Sequence, residues 1–199
     1  MIKRTFDILW SIIGIFLLSP VLILVALVIF LEDGSWPFFR QTRVGYMGVT
    51  FRIWKFRTMI VGDEQTGLAI TVGRDPRITP IGWWLRKFKI DELPQLFNVI
   101  AGQMSLVGPR PEVEKYVSLY CADQREVLSL IPGITDLASI QYRSESMILA
   151  NSIDPEYTYI NVIMPEKIKI NLSYAAKANC WNDFRVIIST IFPWVPTPD

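Results

Sequence analysis

The sequence predicts a helix-dominated α+β fold with a re-entrant N-terminal membrane helix, amphipathic interfacial helices and a small β-hairpin or sheet. Three observations carry this expectation. An uncharged apolar run extends from Ile8 to Leu31. Apolar residues recur at helical spacing after Thr79 and again after Pro165. The stretch from Phe51 to Met59 is dense in strand formers.

The apolar run comes first. As one helix it would be ~36 Å long, enough to cross the hydrocarbon core. It is too long for a secretory leader, and no small-residue cleavage site precedes Glu32. A plain transmembrane anchor and a re-entrant helix both stand. Ser19-Pro20 sits mid-run, where proline removes a backbone hydrogen bond and a kink is expected. A neighbouring serine can bond the freed carbonyl. Lys3 and Arg4 precede the run, and Arg40, Arg43, Arg52, Lys55 and Arg57 follow it. Basic residues on both flanks favour placing both ends on the cytoplasmic face, which a straight span cannot do.

A turn at Glu32-Asp33-Gly34 leads into short strands, and Lys55 and Arg57 share one face of the Phe51–Met59 strand. They suit either a solvated edge or an anionic ligand. Thr79-Pro80 reads as a helix cap and first position. Ile81, Trp84, Leu85 and Phe88 then form one stripe, with Arg86 and Lys89 off it. Such a helix fits a membrane interface as well as an ordinary core. Asp91-Glu92-Leu93-Pro94 opens a helix from Gln95 to Ala101, closed by Gly102. Locally Asp91 is an N-cap and Glu92 a favourable first-turn charge. The same two carboxylates could hold Mg²⁺ where phosphate is well received. Ser105 to Glu112 reads as a loop stiffened by prolines around Arg110, whose guanidinium matches phosphate bidentately. An amphipathic helix is expected from Val113 to Leu130, a loop at Pro132–Thr135, and helices from about Pro165 and from Asn182 to Ile191. Arg143, in the irregular stretch after Tyr142, joins the substrate-binding candidates.

Composition narrows the chemistry. The 199 residues suit one domain, and 51% of them are hydrophobic, which points toward lipid contact. The net charge of +1 argues against nucleic acid as a partner. Cys121 and Cys180 form no paired-cysteine motif, so a reducing compartment is the simpler reading. The chain has no histidine. Ser-His-Asp and Cys-His catalysis and the usual zinc sites are thereby excluded. Carboxylates must do any acid/base or nucleophilic work, and an oxygen-seeking cation is the metal to expect.

The order and spacing of several motifs resemble those of the bacterial sugar transferases, small monotopic phosphoglycosyl transferases. They are Lys3-Arg4-Thr5-Phe6-Asp7, Ser19-Pro20, Trp54 to Met59, Asp91 to Val99, Gly102 to Ser105, Val107 to Pro111 and Pro132 to Thr135. The resemblance implies a re-entrant helix over 1–34, broken at Ser19-Pro20, and a catalytic domain over 35–199 on the cytoplasmic face of the bacterial inner membrane. It also implies a UDP-sugar donor, a polyprenyl (undecaprenyl) phosphate acceptor and Mg²⁺. Asp91 would attack the β-phosphorus, expel UMP and carry the phosphosugar to the acceptor. Glu92 would handle metal or a proton, while Arg86, Arg110 and Lys55 would contact phosphate. Inner-membrane lipids are implied partners, and a homo-oligomer is left open.

One departure is plain: the resembling motif reads Pro-Gly-Ile-Thr-Gly, and here its last position is Asp136. Tyr142 to Met164 resembles the subgroup serving exopolysaccharide and capsule pathways. A membrane-anchored scaffold, with Asp91 merely capping a helix, is the competing expectation. A polytopic transferase is disfavoured by the single long apolar run.

Overall fold

A computed structural model describes residues 2–62, 70, 72–73 and 75–198. The N-terminal run forms α1 (Ile2–Asp33), helical straight through Pro20. Proline leaves the carbonyl four residues back without its helical donor. Ser19 Oγ supplies one, reaching the Phe16 carbonyl at 2.8 Å. Among the described residues α1 is the one helix long and apolar enough to cross a membrane. Phe6, Ile15, Leu22, Val25, Ala26 and Ile29 pack against the body. Leu9, Ile12, Phe16, Leu17, Ile23, Leu24, Leu27 and Leu31 remain exposed.

Both ends of α1 dock on that body. Asp7, 2% exposed, accepts from Ser105 Oγ at 2.9 Å and from the Leu106 amide at 3.3 Å. Arg4 donates to the Val99 and Met104 carbonyls. Lys3 pairs with the buried Asp183, which also accepts from Tyr174 Oη. Lys3 and Arg4, the basic residues that precede the apolar run, are therefore committed to protein partners. At the far end, Asp33 forms a two-bond pair with Arg57, and Ile29 packs with Phe56 and Leu85.

Strands β1 (Phe38–Val44) and β2 (Thr50–Phe56) make an antiparallel hairpin, with Arg40 opposite Trp54 and Phe39 opposite Lys55. Asn98 completes the outer edge of β2. It accepts from the Trp54 amide at 2.9 Å and donates to the Arg52 carbonyl at 2.9 Å. That side chain belongs to α3 (Gln95–Ile100), so it clamps α3 against β2. Gly102, at φ +87°, closes α3 as expected.

Four sequence-based expectations need correction. The loops at Ser105–Glu112 and Pro132–Thr135 contain paired strands, β3 (Ser105–Val107) and β4 (Gly133–Thr135), running parallel. At three residues each they are too short to leave a periodicity. A Cβ on Gly133 would lie 2.1 Å from the Gly108 nitrogen, so this crossing needs glycine. The helix expected from Val113 to Leu130 is α4 (Glu114–Val117) followed by a separate 3₁₀ segment at Gln124–Ser129. Tyr116, Tyr120 and Val127 are buried in one cluster, which mimics helical periodicity without a continuous helix. The irregular stretch holds α5 (Leu137–Gln141), α6 (Glu145–Ala150) and α7 (Pro155–Thr158). A π turn at Tyr159–Ile163 then joins α7 to α8 (Met164–Ala175). Pro165 has no N–H for the Asn161 carbonyl, so the chain widens just before it, and α8 begins at Met164, beside Pro165 as expected. Finally, Asp91 is no N-cap, as described below. The last helix, α9 (Cys180–Ile191), is capped by Asn179.

Candidate active site

The site is built where α2 (Pro80–Lys87) gives way to α3. Thr79 caps α2 by accepting from the Gly82 amide at 2.9 Å. Trp83, Trp84 and Phe88 are exposed, and Lys87 lies over all three rings. Leu85 alone of the expected stripe is fully buried. Lys89 then adopts a left-handed conformation (φ 58°, ψ 19°), costly for a residue with a Cβ. This reversal turns the chain into a 3₁₀ turn, Ile90–Glu92, instead of prolonging α2.

Asp91 and Glu92 are 6% and 7% exposed, and their surroundings differ sharply. Glu92 Oε2 accepts from Arg110 Nη1 at 2.9 Å. Its Oε1 accepts from Arg110 Nη2 and from Lys55 Nζ, the latter at 3.2 Å. Burial alone would raise this carboxyl, but Arg110 and Lys55 hold it well below the usual range. Asp91 has no such company. Its Oδ1 is buried without a hydrogen-bond partner, and Pro94, not Asp91, occupies the cap position of α3. Burial, then the Glu92 charge, push the Asp91 carboxyl up. One carboxylate is neutralised and fixed; its neighbour is left with an uncommitted oxygen.

The cations are tuned as well. Burial lowers Lys55 to about 8 against the opposing pull of Glu92. Burial also lowers Arg86, against the opposing pull of the Asp91 charge. Its Nε donates to Thr58 Oγ1 at 2.8 Å, which fixes the guanidinium between β2 and α2.

Two site residues went unassigned in the sequence. Asp136, 1% exposed, caps α5 by accepting from the Ser139 amide at 2.5 Å. Its other oxygen accepts from the Arg110 backbone amide at 2.9 Å. The departure from glycine thus sets the loop that presents Arg110. Gln95, one helical turn beyond Asp91, is 1% exposed and its Nε2 has no acceptor. Its only sequence signal is a polar side chain at a helix position four residues after Asp91.

Arg143 lies elsewhere, donating to the Ser189 and Thr190 carbonyls at the end of α9. Arg57, on the same strand face as Lys55, is taken up by Asp33 and the Trp36 carbonyl. The structure therefore brings Lys55, Arg86, Asp91, Glu92 and Arg110 into one electrostatic cluster and leaves Arg143, Ser19 and Pro20 outside it.

Among the described residues no group of three or more metal-ligating side chains converges. A hard cation that keeps its waters and leans on substrate phosphates needs only one or two carboxylates. The free Asp91 oxygen fits that requirement, whereas both Glu92 oxygens are engaged by Arg110 and Lys55.

Comparison with known proteins gives one coherent answer. The family described as bacterial sugar transferase matches residues 1–196. The galactosyl transferase CpsE of Streptococcus agalactiae is 38% identical over 200 residues, 95% of this chain and 41% of that protein. The UDP-glucose:undecaprenyl-phosphate glucose-1-phosphate transferase of Escherichia coli K12 is 32% identical over 96% of this chain and 40% of its own length. The exopolysaccharide production protein ExoY of Sinorhizobium fredii is 39% identical over 158 residues, 72% of this chain and 70% of that protein. The chain thus spans about two fifths of the length of the first two relatives.

Proposed function

The chain belongs to the bacterial sugar transferase family, and from that premise we propose that it moves a sugar 1-phosphate from a UDP-sugar to polyprenyl (undecaprenyl) phosphate, releasing UMP. The relatives named for such transfers and for exopolysaccharide production support this reading, and a role in starting polysaccharide or glycoconjugate assembly follows from it. The observation that carries it is the asymmetry of the acidic pair: Glu92 saturated by cations, Asp91 buried with a free oxygen.

A carboxylate oxygen of Asp91 attacks the β-phosphorus of the donor. The new O–P bond forms as the bond to the bridging oxygen breaks, and that oxygen leaves with its electron pair on UMP. A phosphate oxygen of the acceptor then attacks the same phosphorus and returns the carboxylate to Asp91, leaving a polyprenyl diphospho-sugar. Phosphoryl transfer depends on positioning and charge neutralisation more than on a strong base, so a chain without histidine suffices. Arg86 faces the dyad from α2 and Lys55 from β2; Arg110 is presented by its proline-flanked loop. Asp91 is the residue that would hold Mg²⁺ together with the donor phosphates, and the ion would supply neutralisation of pyrophosphate charge there. Glu92 keeps Lys55 and Arg110 oriented while Asp91 acts as nucleophile.

Re-entry of α1 into one leaflet of the inner membrane belongs to the same proposal. A straight span would carry its two ends to opposite faces, yet Arg4 and Asp33 both dock on one body. The bend that re-entry requires falls at Ser19-Pro20 in this proposal, where the helix, continuous here, has already lost the donor to the Phe16 carbonyl. Exposed Trp83, Trp84 and Phe88 around Lys87 suit an interfacial α2, with the catalytic body on the cytoplasmic face. The test of the reaction is a panel of UDP-sugars, assayed for UMP release and for labelled sugar in the lipid fraction. Mg²⁺-dependent release with at least one donor is expected, and a scaffold releases none.

A further inference from the structure

A cleft opens beside the Pro109–Glu112 loop, and Arg110 belongs both to its wall and to the Glu92 pair. Arg110 thus links the cleft to the dyad. Most of the wall is apolar, including Val127, Met164 and Ile168. Its charged groups are engaged. Glu112 accepts from Tyr159 Oη and faces Arg43 at 3.8 Å, and Lys167 pairs with Glu145 at 2.8 Å.

Asn171 is the exception. It projects from the middle of α8, is 7% exposed and lines the cleft, and its carboxamide, without a side-chain hydrogen bond among the described residues, is open to the cleft. Buried amides are ordinarily paired, so a carboxamide held uncommitted in a cleft marks a place for a partner. The partner must present flat apolar faces to the walls and a donor–acceptor edge to the amide. A sugar ring, hydroxylated all round, would leave most of its polar groups against apolar walls. An isoprenoid chain would waste the amide. A pyrimidine base meets both demands: its ring packs against side chains such as Met164, and its N3–H and O4 match the carbonyl and amine of Asn171.

We propose that this cleft receives the base of the donor nucleotide, with Asn171 reading its hydrogen-bonding edge; this rests on the UDP-sugar reading above. The distribution of charge agrees with it. The donor's phosphates lie toward Arg110, and the uncharged base lies beyond, where the charged lining residues Glu112 and Lys167 are already paired.

The test measures labelled-sugar transfer by the full chain in detergent, with UMP, CMP and inorganic phosphate as inhibitors. Asn171→Leu should raise the UMP inhibition constant and the UDP-sugar KM about tenfold, the loss of one or two neutral hydrogen bonds. Inhibition by inorganic phosphate should stay at the wild-type value. Asn171→Asp, which can only accept, should shift the CMP-to-UMP preference toward CMP by about tenfold, because cytosine offers an amine where uracil offers a carbonyl. A merely structural Asn171 moves all three inhibitors alike. Unchanged UMP inhibition in both variants overturns the cleft assignment alone. So does a rise confined to the polyprenyl phosphate KM, which would give the cleft to the isoprenoid chain. If UMP fails to inhibit the wild-type protein, the UDP-sugar reading falls, and this assignment with it.

Discussion

Replacing Arg110 by methionine removes both guanidinium bonds from a carboxylate that is 7% exposed. Breaking a buried pair from one side costs ~3–5 kcal/mol, since the remaining charge stays desolvated. Lys55 still reaches Glu92 Oε1 at 3.2 Å, so the low end, about 3 kcal/mol, applies here. For a chain of this size 1 kcal/mol shifts the melting temperature by ~2–4 °C, which gives a fall of about 6–12 °C. Adding Glu92→Leu to Arg110→Met removes the stranded charge and should recover at least half of that loss, because an apolar pair can replace a buried ion pair. Neither variant should transfer sugar. Thermal unfolding followed by tryptophan fluorescence in detergent gives the stabilities, and labelled-sugar transfer gives the activity. A shift below about 2 °C for Arg110→Met, or a double variant less stable than the single one, refutes the view that Arg110 neutralises Glu92.

The remaining predictions concern titration, loop placement and docking. Lys55 carries its proton below about 8 and loses it above, so transfer should fall as pH rises through that value. Lys55→Arg keeps the charge and should abolish the alkaline fall in a pH–rate profile. Asp136→Gly removes the acceptor for the Arg110 amide and the cap of α5; steady-state kinetics should show kcat/KM reduced about tenfold, with Asp136→Asn intermediate. Asp7→Ala strips Ser105 and the Leu106 amide of a buried acceptor and should cost ~2 kcal/mol in thermal unfolding. The apolar face of α1 is untouched by that change, so the protein should still partition with membranes on fractionation.

Where the sequence was readable, the signal was local. The apolar run of α1, the Thr79-Pro80 start of α2 and the Gly102 stop of α3 each depend on a few neighbouring residues, and all three are found in place. The helix-dominated α+β class and the hairpin followed from such signals. What escaped depends on distant partners. That Glu92 meets Arg110 and Lys55 requires α3 clamped to β2 by Asn98, which no spacing announces. Asp91 looked like a cap because a carboxylate before a helix generally is one; the left-handed Lys89 displaced it into a buried turn. Asp136 stood out as a departure from a motif, but its bond to the Arg110 amide exists only because β4 pairs with β3.

The covalent role of Asp91 is the centre of the account, and intact-mass measurement tests it most directly. The protein is incubated with Mg²⁺ and an accepted UDP-sugar, with polyprenyl phosphate withheld. The account predicts a mass gain equal to one phosphosugar, matched by one equivalent of UMP, discharged when acceptor is added, and absent from Asp91→Asn. An adduct that persists in Asp91→Asn contradicts it. Acceptor-dependent transfer by the wild-type protein without any adduct contradicts it equally.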